Sequence, residues 1–164
     1  MKKETYIRLM DWGKSTKRRT WWIEALNRYV TNVMYLAYPC LLLWMMLQRD
    51  ERILKTILVP GISFVLVSIF RNLYDAPRPY VAFSYPSVVK KDKTGKSMPS
   101  RHVFSAVIVT VTFYYIVPPI SIPMGICALS VCIGRVLAGV HYPKDVIVGA
   151  ILGLIMGIIG FYYC

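Results

Sequence analysis

The chain alternates long apolar runs with short polar breaks. A membrane-spanning helix needs about 20 apolar residues, because it rises 1.5 Å per residue across a hydrocarbon core of about 30 Å. Five runs approach this length, and only Lys55 and Arg135 carry a charge within them. In hydrocarbon the backbone must satisfy its own hydrogen bonds, so the runs predict helices. The pattern therefore predicts an all-α, polytopic membrane helical bundle with about five spanning helices, in residues 29–47, 53–70, 103–120, 121–140 and 146–164.

The polar breaks between these runs predict the loops. Residues 48–52 form a charged turn, and the prolines at 118, 119 and 123 predict a tight turn, because proline removes a backbone donor. The longest connection, residues 71–101, contains four prolines and three lysines around Asp92. A loop of this length in so small a chain is usually functional or mobile.

The first 28 residues differ from the rest of the chain. They carry eight lysines and arginines together with Trp12, Trp21 and Trp22, and they are too polar to span a membrane. This composition predicts a helix that lies in the membrane interface, with tryptophan at headgroup depth. We therefore divide the chain into a basic amphipathic segment, residues 1–28, and a membrane-embedded domain, residues 29–164.

Composition narrows the possible partners. The net charge of +12 is typical of a nucleic-acid-binding protein, but a soluble domain is rarely 56% hydrophobic. We therefore expect the basic residues to contact anionic lipid headgroups and no nucleic acid. The four cysteines lie in apolar runs without a CxxC pair, which predicts buried free thiols.

Two loops concentrate the candidate chemistry. The loops after the second and fourth predicted helices lie two crossings apart, so they emerge on the same side of the membrane. They hold both histidines, His102 and His141, and the nearby arginines Arg71, Arg78 and Arg135. Any one arginine could snorkel to the interface, but a guanidinium within an apolar run is costly without a partner or ligand. Because its donors form a planar fork that suits phosphate oxygens, the cluster predicts an anion site.

The residues around each histidine suggest a chemical role. Ser100 is a natural N-cap, and the first-turn N–H groups of Arg101 and His102 lie at the positive end of the helix dipole, which favours an anion. His141 and Asp145 are four residues apart and can share a helical face. A carboxylate on one imidazole nitrogen leaves the other free to attack. A metal site lacks a third clustered ligand and would face repulsion from the arginines, so we expect no metal and no other cofactor.

Three segments resemble, in order and in internal spacing, the signature of the type 2 phosphatidic acid phosphatase (PAP2) family. That family consists of membrane lipid phosphatases related to the vanadium-dependent haloperoxidases, and its signature is KxxxxxxRP, PSGH and SRxxxxxHxxxD. The corresponding segments here are residues 71–79, 99–102 and 134–145. The resemblance covers roughly residues 53–164 and implies a PAP2/haloperoxidase-like helical core, which usually has six membrane helices.

The resemblance also implies a role for each matching residue. His141 would be the nucleophile that forms a phosphohistidine, Asp145 would orient it, and His102 would be the general acid. The phosphoryl oxygens would be held by Arg71, Arg78, Ser100, Arg135 and the backbone amide of Arg101.

Three positions depart from the family pattern. Arg71 replaces a lysine, Arg101 replaces a glycine, and Gly134 replaces a serine. None of these changes removes a catalytic role, but each could alter substrate preference.

We therefore expect an integral membrane phosphatase that hydrolyses a lipid phosphate or pyrophosphate without a metal. Candidate substrates are a polyprenyl pyrophosphate, phosphatidic acid, phosphatidylglycerophosphate and a phosphorylated glycolipid. One alternative is a membrane protein that binds or transports phosphate without turnover. Another is a basic adaptor that recruits anionic lipid through residues 1–28.

The side of the membrane that carries the site is left open by two conflicting arguments. Seventeen of the 20 lysines and arginines lie on the side of the candidate site, which is also the side of the N-terminus. The positive-inside rule then predicts a multi-pass protein of the cell membrane with a cytoplasmic site. Many members of the PAP2 family, however, face outward.

Overall fold

The computed structural model describes residues 1–91 and 93–163, and the regular elements in these residues are all helical. Asp92 and Cys164, which fall in the predicted lysine-rich loop and the last predicted helix, lie outside the described residues. The prediction of an all-α bundle is confirmed. The elements are α1 (Lys3–Lys14), α2 (Lys17–Ala25), a π-helical turn (Leu26–Val30), α3 (Thr31–Leu47), α4 (Ile53–Tyr74), α5 (Pro79–Ala82), α6 (Arg101–Ile116), α7 (Pro118–Leu137) and α8 (Pro143–Tyr162).

Among the described residues, four segments are long and apolar enough to cross a membrane: Lys17–Leu47, Ile53–Ala82, Pro118–Leu137 and Pro143–Tyr162. The second of these consists of α4 and the short α5, with residues 75–78 between them outside a helix. The remaining predicted run, residues 103–120, corresponds to α6, which is apolar but has only 16 residues. Most residues of α6 are buried, and it packs against α3, α4, α7 and α8. The surrounding helices expose large apolar side chains, as expected for a bundle in lipid. Examples are Leu36, Leu47, Leu73 and Ile122.

The predicted turn at residues 118–123 is displaced. Helix α6 ends at Ile116, Val117 alone separates the helices, and α7 begins at Pro118. The first turn of a helix has no intrahelical use for its N–H groups, so proline is tolerated there and favours initiation. Pro123 lies inside α7. The prolines therefore open the helix that they were expected to precede.

The cysteine prediction is correct in one respect and wrong in another. Cys40, Cys127 and Cys132 are free thiols, but Cys40 is exposed and the other two are partly exposed. Apolar side chains on a membrane bundle face lipid as well as the protein core, so an apolar run does not imply burial in the protein.

A stripe of small residues brings α8 into close contact with α6. A Cβ atom added at Gly149, Gly153 or Gly157 would lie 2.8–2.9 Å from atoms of α6 or of Ser100, which precedes it. Small residues allow helix backbones to approach closely in membranes. This packing brings Ser100 beside α8, where its N–H donates to the carbonyl oxygen of Asp145 at 2.9 Å.

The N-terminal segment packs against the loops that precede α6 and α8. Helix α1 buries Tyr6 and Met10 in a cluster with Val88, Ala138 and Val140. Helix α2 continues through the π-helical turn into α3, so residues 17–47 form one helical segment. The predicted division of the chain at residue 28 falls within that turn and stays a prediction.

Candidate active site

The nucleophile predicted from the sequence is a buried imidazole next to a carboxylate. His141 and Asp145 are 2% and 1% exposed, and His141 Nδ1 lies 3.6 Å from Asp145 Oδ2. The backbone N–H of Tyr142 donates to the same Oδ2 at 3.1 Å and fixes the carboxylate at the start of α8. Burial lowers the pKa of His141 to about 4, although the hydrogen bond with Asp145 acts in the opposite direction. The imidazole is therefore neutral near pH 7, the state that a nucleophilic histidine requires.

Ser97 is a third member of this cluster, and the sequence analysis did not identify it. It is fully buried, its hydroxyl donates to Asp145 Oδ2 at 2.5 Å, and its Oγ lies 3.4 Å from His141 Nδ1. The backbone N–H of Ser97 donates to the carbonyl oxygen of Ala76 at 2.9 Å. Ser97 therefore connects the long loop directly to the His141–Asp145 pair.

Arg71 and Arg78 are both 8% exposed and lie beside this cluster. Both guanidinium groups donate to backbone carbonyl oxygens of the loop between residues 95 and 99, and Arg78 also reaches the residue before His141. These two arginines therefore hold the loop against the start of α8. The acceptors are Lys96, Ser97 (3.5 Å) and Pro99 for Arg71, and Gly95 (3.1 Å) and Val140 (3.4 Å) for Arg78.

Arg135 is also buried, at 5% exposed, but its guanidinium binds a side chain instead of backbone carbonyl oxygens. Its Nη2 donates to Thr31 Oγ1 at 3.1 Å, and its Nε has no hydrogen-bond partner. Together with His102, Arg135 lines a polar cleft of about 610 Å³ whose other wall comes from α2, the π-helical turn and α3. We call this the Arg135 cleft. Helix α2 and the π-helical turn, in the N-terminal part of the chain, therefore contribute to the site, a contribution that the sequence did not predict.

The first turn of α6 presents three of the predicted residues. Ser100 is the N-cap and is fully buried, yet its hydroxyl makes no hydrogen bond. The guanidinium of Arg101 lies 5.2 Å from the centre of the Phe64 ring, and Arg101 shares a second polar cleft of about 480 Å³ with Arg71 and Arg78. We call this the Arg71 cleft. His102 lines the Arg135 cleft and an adjoining apolar groove.

The charge balance of the buried groups favours an anion. Within the described residues, the buried side chains that carry a charge near pH 7 are three arginines and the carboxylate of Asp145. Three positive charges and one negative charge leave two positive charges without compensation. Buried charges that lack a partner are costly, so such an excess is typical of a site that binds an anion. No group of three metal-ligating side chains is found among residues 1–91 and 93–163.

The structure thus brings most of the predicted residues around one buried pair, from two sides. Arg71, Arg78 and Arg101 border one cleft, and His102 and Arg135 border the other. His141 and Asp145 line neither of these clefts, and they lie beneath the surface with Ser97.

Comparison with known proteins identifies relatives that match over most of this chain. The chain is 25% identical over 145 residues to undecaprenyl-diphosphatase BcrC of Bacillus subtilis (strain 168), a match that covers 86% of this chain and 75% of that protein. The crystal structure of Aquifex aeolicus LpxE superposes with a TM-score of 0.74 at 23% identity, covering 96% of this chain and 92% of that one. A transmembrane PAP2-type phosphatidylglycerolphosphate phosphatase from Bacillus subtilis gives a TM-score of 0.59 at 20% identity, covering 95% and 90% of the two chains.

These structural matches confirm the fold of a multi-pass membrane bundle. The family model described as the PAP2 superfamily matches residues 52–164, which contain all three motif segments and more than two thirds of the chain. The chain therefore belongs to the PAP2 superfamily of membrane lipid phosphatases.

Proposed function

We propose that this protein hydrolyses the phosphate or diphosphate ester of a membrane lipid. The observation that carries the proposal is the junction between the Arg135 cleft and an apolar groove of about 500 Å³ between α3, α4 and α6. Thr31, Tyr35 and His102 line both spaces. A lipid tail in the groove would place its phosphate beside His102 and Arg135.

The chemistry proceeds in two displacements at phosphorus. The Nε2 atom of His141 attacks phosphorus, the bond to the leaving oxygen breaks, and His102 donates a proton to that oxygen. Burial and the charge of Arg135 lower the pKa of His102 to about 3, so it takes up this proton from the bound phosphate group before donating it. A water molecule then attacks the phosphohistidine, with His102 accepting its proton, and inorganic phosphate leaves. Asp145 stabilises the positively charged imidazole in both steps. Because His141 is only 2% exposed, attack requires neighbouring loop residues to move aside.

The arginines supply the electrostatic part of catalysis. Phosphoryl transfer depends mainly on positioning and on stabilising the charge of the equatorial oxygens. Arg135 has an unpartnered Nε for this purpose, and the unpartnered hydroxyl of Ser100 can join it. Arg71 and Arg78 use only some of their five N–H donors on backbone carbonyls. With this cationic surround we assign no role to a metal ion.

The choice of substrate follows from the relatives and the groove. The matched relatives are named for an undecaprenyl diphosphate and for a phosphatidylglycerolphosphate. Both combine an anionic phosphate with a long apolar tail, as the cleft and groove require. We therefore rank polyprenyl diphosphates and phosphatidylglycerophosphate before phosphatidic acid and phosphorylated glycolipids.

The experiment is phosphate release from these four lipid classes by the purified protein in detergent, with EDTA and with vanadate. We expect turnover of at least one class that EDTA leaves intact and vanadate inhibits, because vanadate mimics the pentacoordinate phosphoryl state. Loss of turnover in EDTA that a divalent cation restores would contradict the metal-free mechanism. Binding of the lipid without any turnover would favour the non-catalytic alternative.

The sidedness of the site is a further part of this proposal, and we place it on the cytoplasmic side. Lys90 and Glu51 are exposed in loops on opposite sides of the predicted topology. In a chain whose native cysteines are replaced, a membrane-impermeant maleimide applied to intact cells should label Glu51→Cys and spare Lys90→Cys. The reverse pattern would place the site outside.

A further inference from the structure

The π-helical turn Leu26–Val30 lies against α7 at the position of Arg135. Such turns are rare and are frequently found at functional sites. Asn27 lies in the turn and Thr31 follows it directly. Both lie outside residues 52–164, which the family model matches.

The contacts of Asn27 determine how its amide is oriented. Its Nδ2 donates to the carbonyl oxygens of Ile23 at 2.9 Å and of Gly134 at 2.8 Å. Because both partners are hydrogen-bond acceptors, the NH₂ group must point to them. The other polar atom of the amide, Oδ1, therefore points elsewhere. Oδ1 is buried and has no hydrogen-bond partner.

Gly134 makes room for this amide. A Cβ atom at position 134 would lie only 3.2 Å from Asn27 Nδ2, which is tighter than ordinary van der Waals contact. A side chain at position 134 would therefore displace the Asn27 amide. The glycine and the asparagine form a matched pair next to Arg135.

Arg135 carries the complementary unsatisfied atom. Its Nε is a buried donor without a partner, whereas Asn27 Oδ1 is a buried acceptor without a partner, and both residues line the Arg135 cleft. Buried polar atoms are normally paired, and each unpaired one needs an explanation. Each of these atoms exposes less than 1 Å², so the side chains must shift slightly for a group in the cleft to reach them. A single O–H group, on a phosphoryl oxygen or a water, would then accept from Arg135 Nε and donate to Asn27 Oδ1.

We propose that Asn27 and Thr31 are positioning residues that fix the Arg135 guanidinium towards the bound phosphoryl group. Thr31 holds Nη2 through its hydroxyl, and Asn27 holds the backbone of the preceding residue. Asn27 Oδ1 orients the O–H group that Arg135 Nε binds. This inference rests on the proposed function, because it assigns Arg135 to phosphate binding.

The test measures binding of inorganic phosphate, by its inhibition constant against lipid hydrolysis and by the rise in melting temperature that it causes in detergent. We expect Asn27→Ala to weaken phosphate binding about tenfold and Thr31→Val about threefold, the range for loss of one hydrogen bond. Thr31→Ser, which keeps the hydroxyl, should bind phosphate like the wild type. Gln48→Ala removes an exposed amide just beyond the far end of the same helical segment and should change nothing.

A second pair of variants separates positioning from general stability. Gly134→Ser alone should weaken phosphate binding, since its Cβ displaces the Asn27 amide. Combined with Asn27→Ala, the serine gains the vacated space, and its hydroxyl lies beside Arg135. The double variant should therefore bind phosphate better than either single variant, a non-additivity that a merely weakened fold would not produce.

Unchanged phosphate binding in both Asn27→Ala and Thr31→Val would overturn the inference. If Asn27→Ala fails to fold, the test rests on Thr31→Val, which keeps the shape but loses the hydroxyl, compared with Thr31→Ser, which keeps the hydroxyl. Equal phosphate binding by these two variants would overturn the inference. Phosphate binding with the expected pattern of variants, but without hydrolysis of any lipid, would leave this inference intact and refute the proposed function. Hydrolysis that all of these variants retain in full would refute the inference alone.

Discussion

The two groups of buried arginines carry the same charge but are supported in different ways. Arg71 and Arg78 donate to backbone carbonyls of residues 95–99 and of Val140. Arg135 instead donates to the hydroxyl of Thr31, on a helix outside the part that the family model matches. The first group therefore holds the long loop in place, whereas the second depends on a separate segment to hold it. Substitutions should distinguish the two arginines that bind the loop, Arg71 and Arg78, from Arg135, which Thr31 holds in place.

The largest effect is expected at His141, which lies between the two groups. His141→Ala removes the nucleophile and should lower lipid phosphate hydrolysis by about 10³-fold or more. The measurement is phosphate release in detergent, and Thr110→Val, a change on α6 away from both clefts, is the control. Substantial residual turnover in a folded His141→Ala protein would exclude the phosphohistidine route.

The next effect separates the two groups of arginines. Arg71→Ala, Arg78→Ala and Arg135→Ala should each reduce turnover by about 10²-fold, since each removes a donor to developing charge. Only the first two should also release the loop, because only they bind its carbonyls. Limited proteolysis between residues 84 and 97 should therefore accelerate in Arg71→Ala and Arg78→Ala and stay at the wild-type rate in Arg135→Ala. Equal cleavage of all three variants would contradict the idea that Arg71 and Arg78, but not Arg135, hold the loop.

A smaller effect is expected at Ser97, where the clamped loop meets the histidine. Ser97→Ala should lower kcat about tenfold, because one hydrogen bond that orients Asp145 is lost. The carboxylate would then interact more strongly with the imidazolium, so the pKa of His141 should rise and the acidic limb of the pH profile should move to higher pH. Ser87→Ala, in the same loop, removes a hydroxyl that bonds Val89 and provides the control. An unchanged profile would reduce Ser97 to a packing role.

The smallest effect concerns stability and pH. Burial lowers the pKa of His141 to about 4, below the value of about 6.5 in an unfolded chain. The unfolded state therefore binds the proton first, and stability falls as pH drops from about 6.5 towards 4. Burial also lowers the pKa of His102, to about 3, so this histidine adds a similar loss and the measurement uses a His102→Gln background. There the loss should be about 1 kcal/mol between pH 7 and 5.5, measured by unfolding in detergent, and it should vanish when His141→Gln is added.

The same measurement compares the two groups of arginines once more. The charge of Arg78 contributes to the low pKa of His141. In the His102→Gln background, Arg78→Gln should therefore raise the pKa of His141 and weaken the pH dependence of stability, whereas Arg135→Gln, whose charge acts on His102, should leave that dependence unchanged. A larger change in Arg135→Gln would mean that Arg135, and not Arg78, has the stronger effect on the pKa of His141.

The sequence predicted those parts of the molecule that spacing and hydropathy encode. Apolar length located the helices, and three motif segments identified the family. Ser97 escaped notice because a serine in a proline-rich loop carries no periodic signal, and its partner lies 48 residues away. Asn27 and Thr31 were missed for a related reason. They lie at the junction between a polar segment and an apolar run, and only the packing of that helix on α7 shows what they contact.

The unbroken helix from Lys17 to Leu47 has a consequence for the membrane around the protein. Its 31 residues extend for about 46 Å, whereas the hydrocarbon core is about 30 Å thick. The apolar part begins near Tyr29, so the contacts of Asn27 and Thr31 with α7 lie close to the boundary between headgroups and hydrocarbon. The 19 residues from Tyr29 to Leu47 span about 28 Å, which matches that thickness, whereas in a thinner bilayer the helix would tilt. Tilting would move Asn27 and Thr31 relative to Arg135, so turnover in reconstituted vesicles should depend on the acyl-chain length of the host lipid.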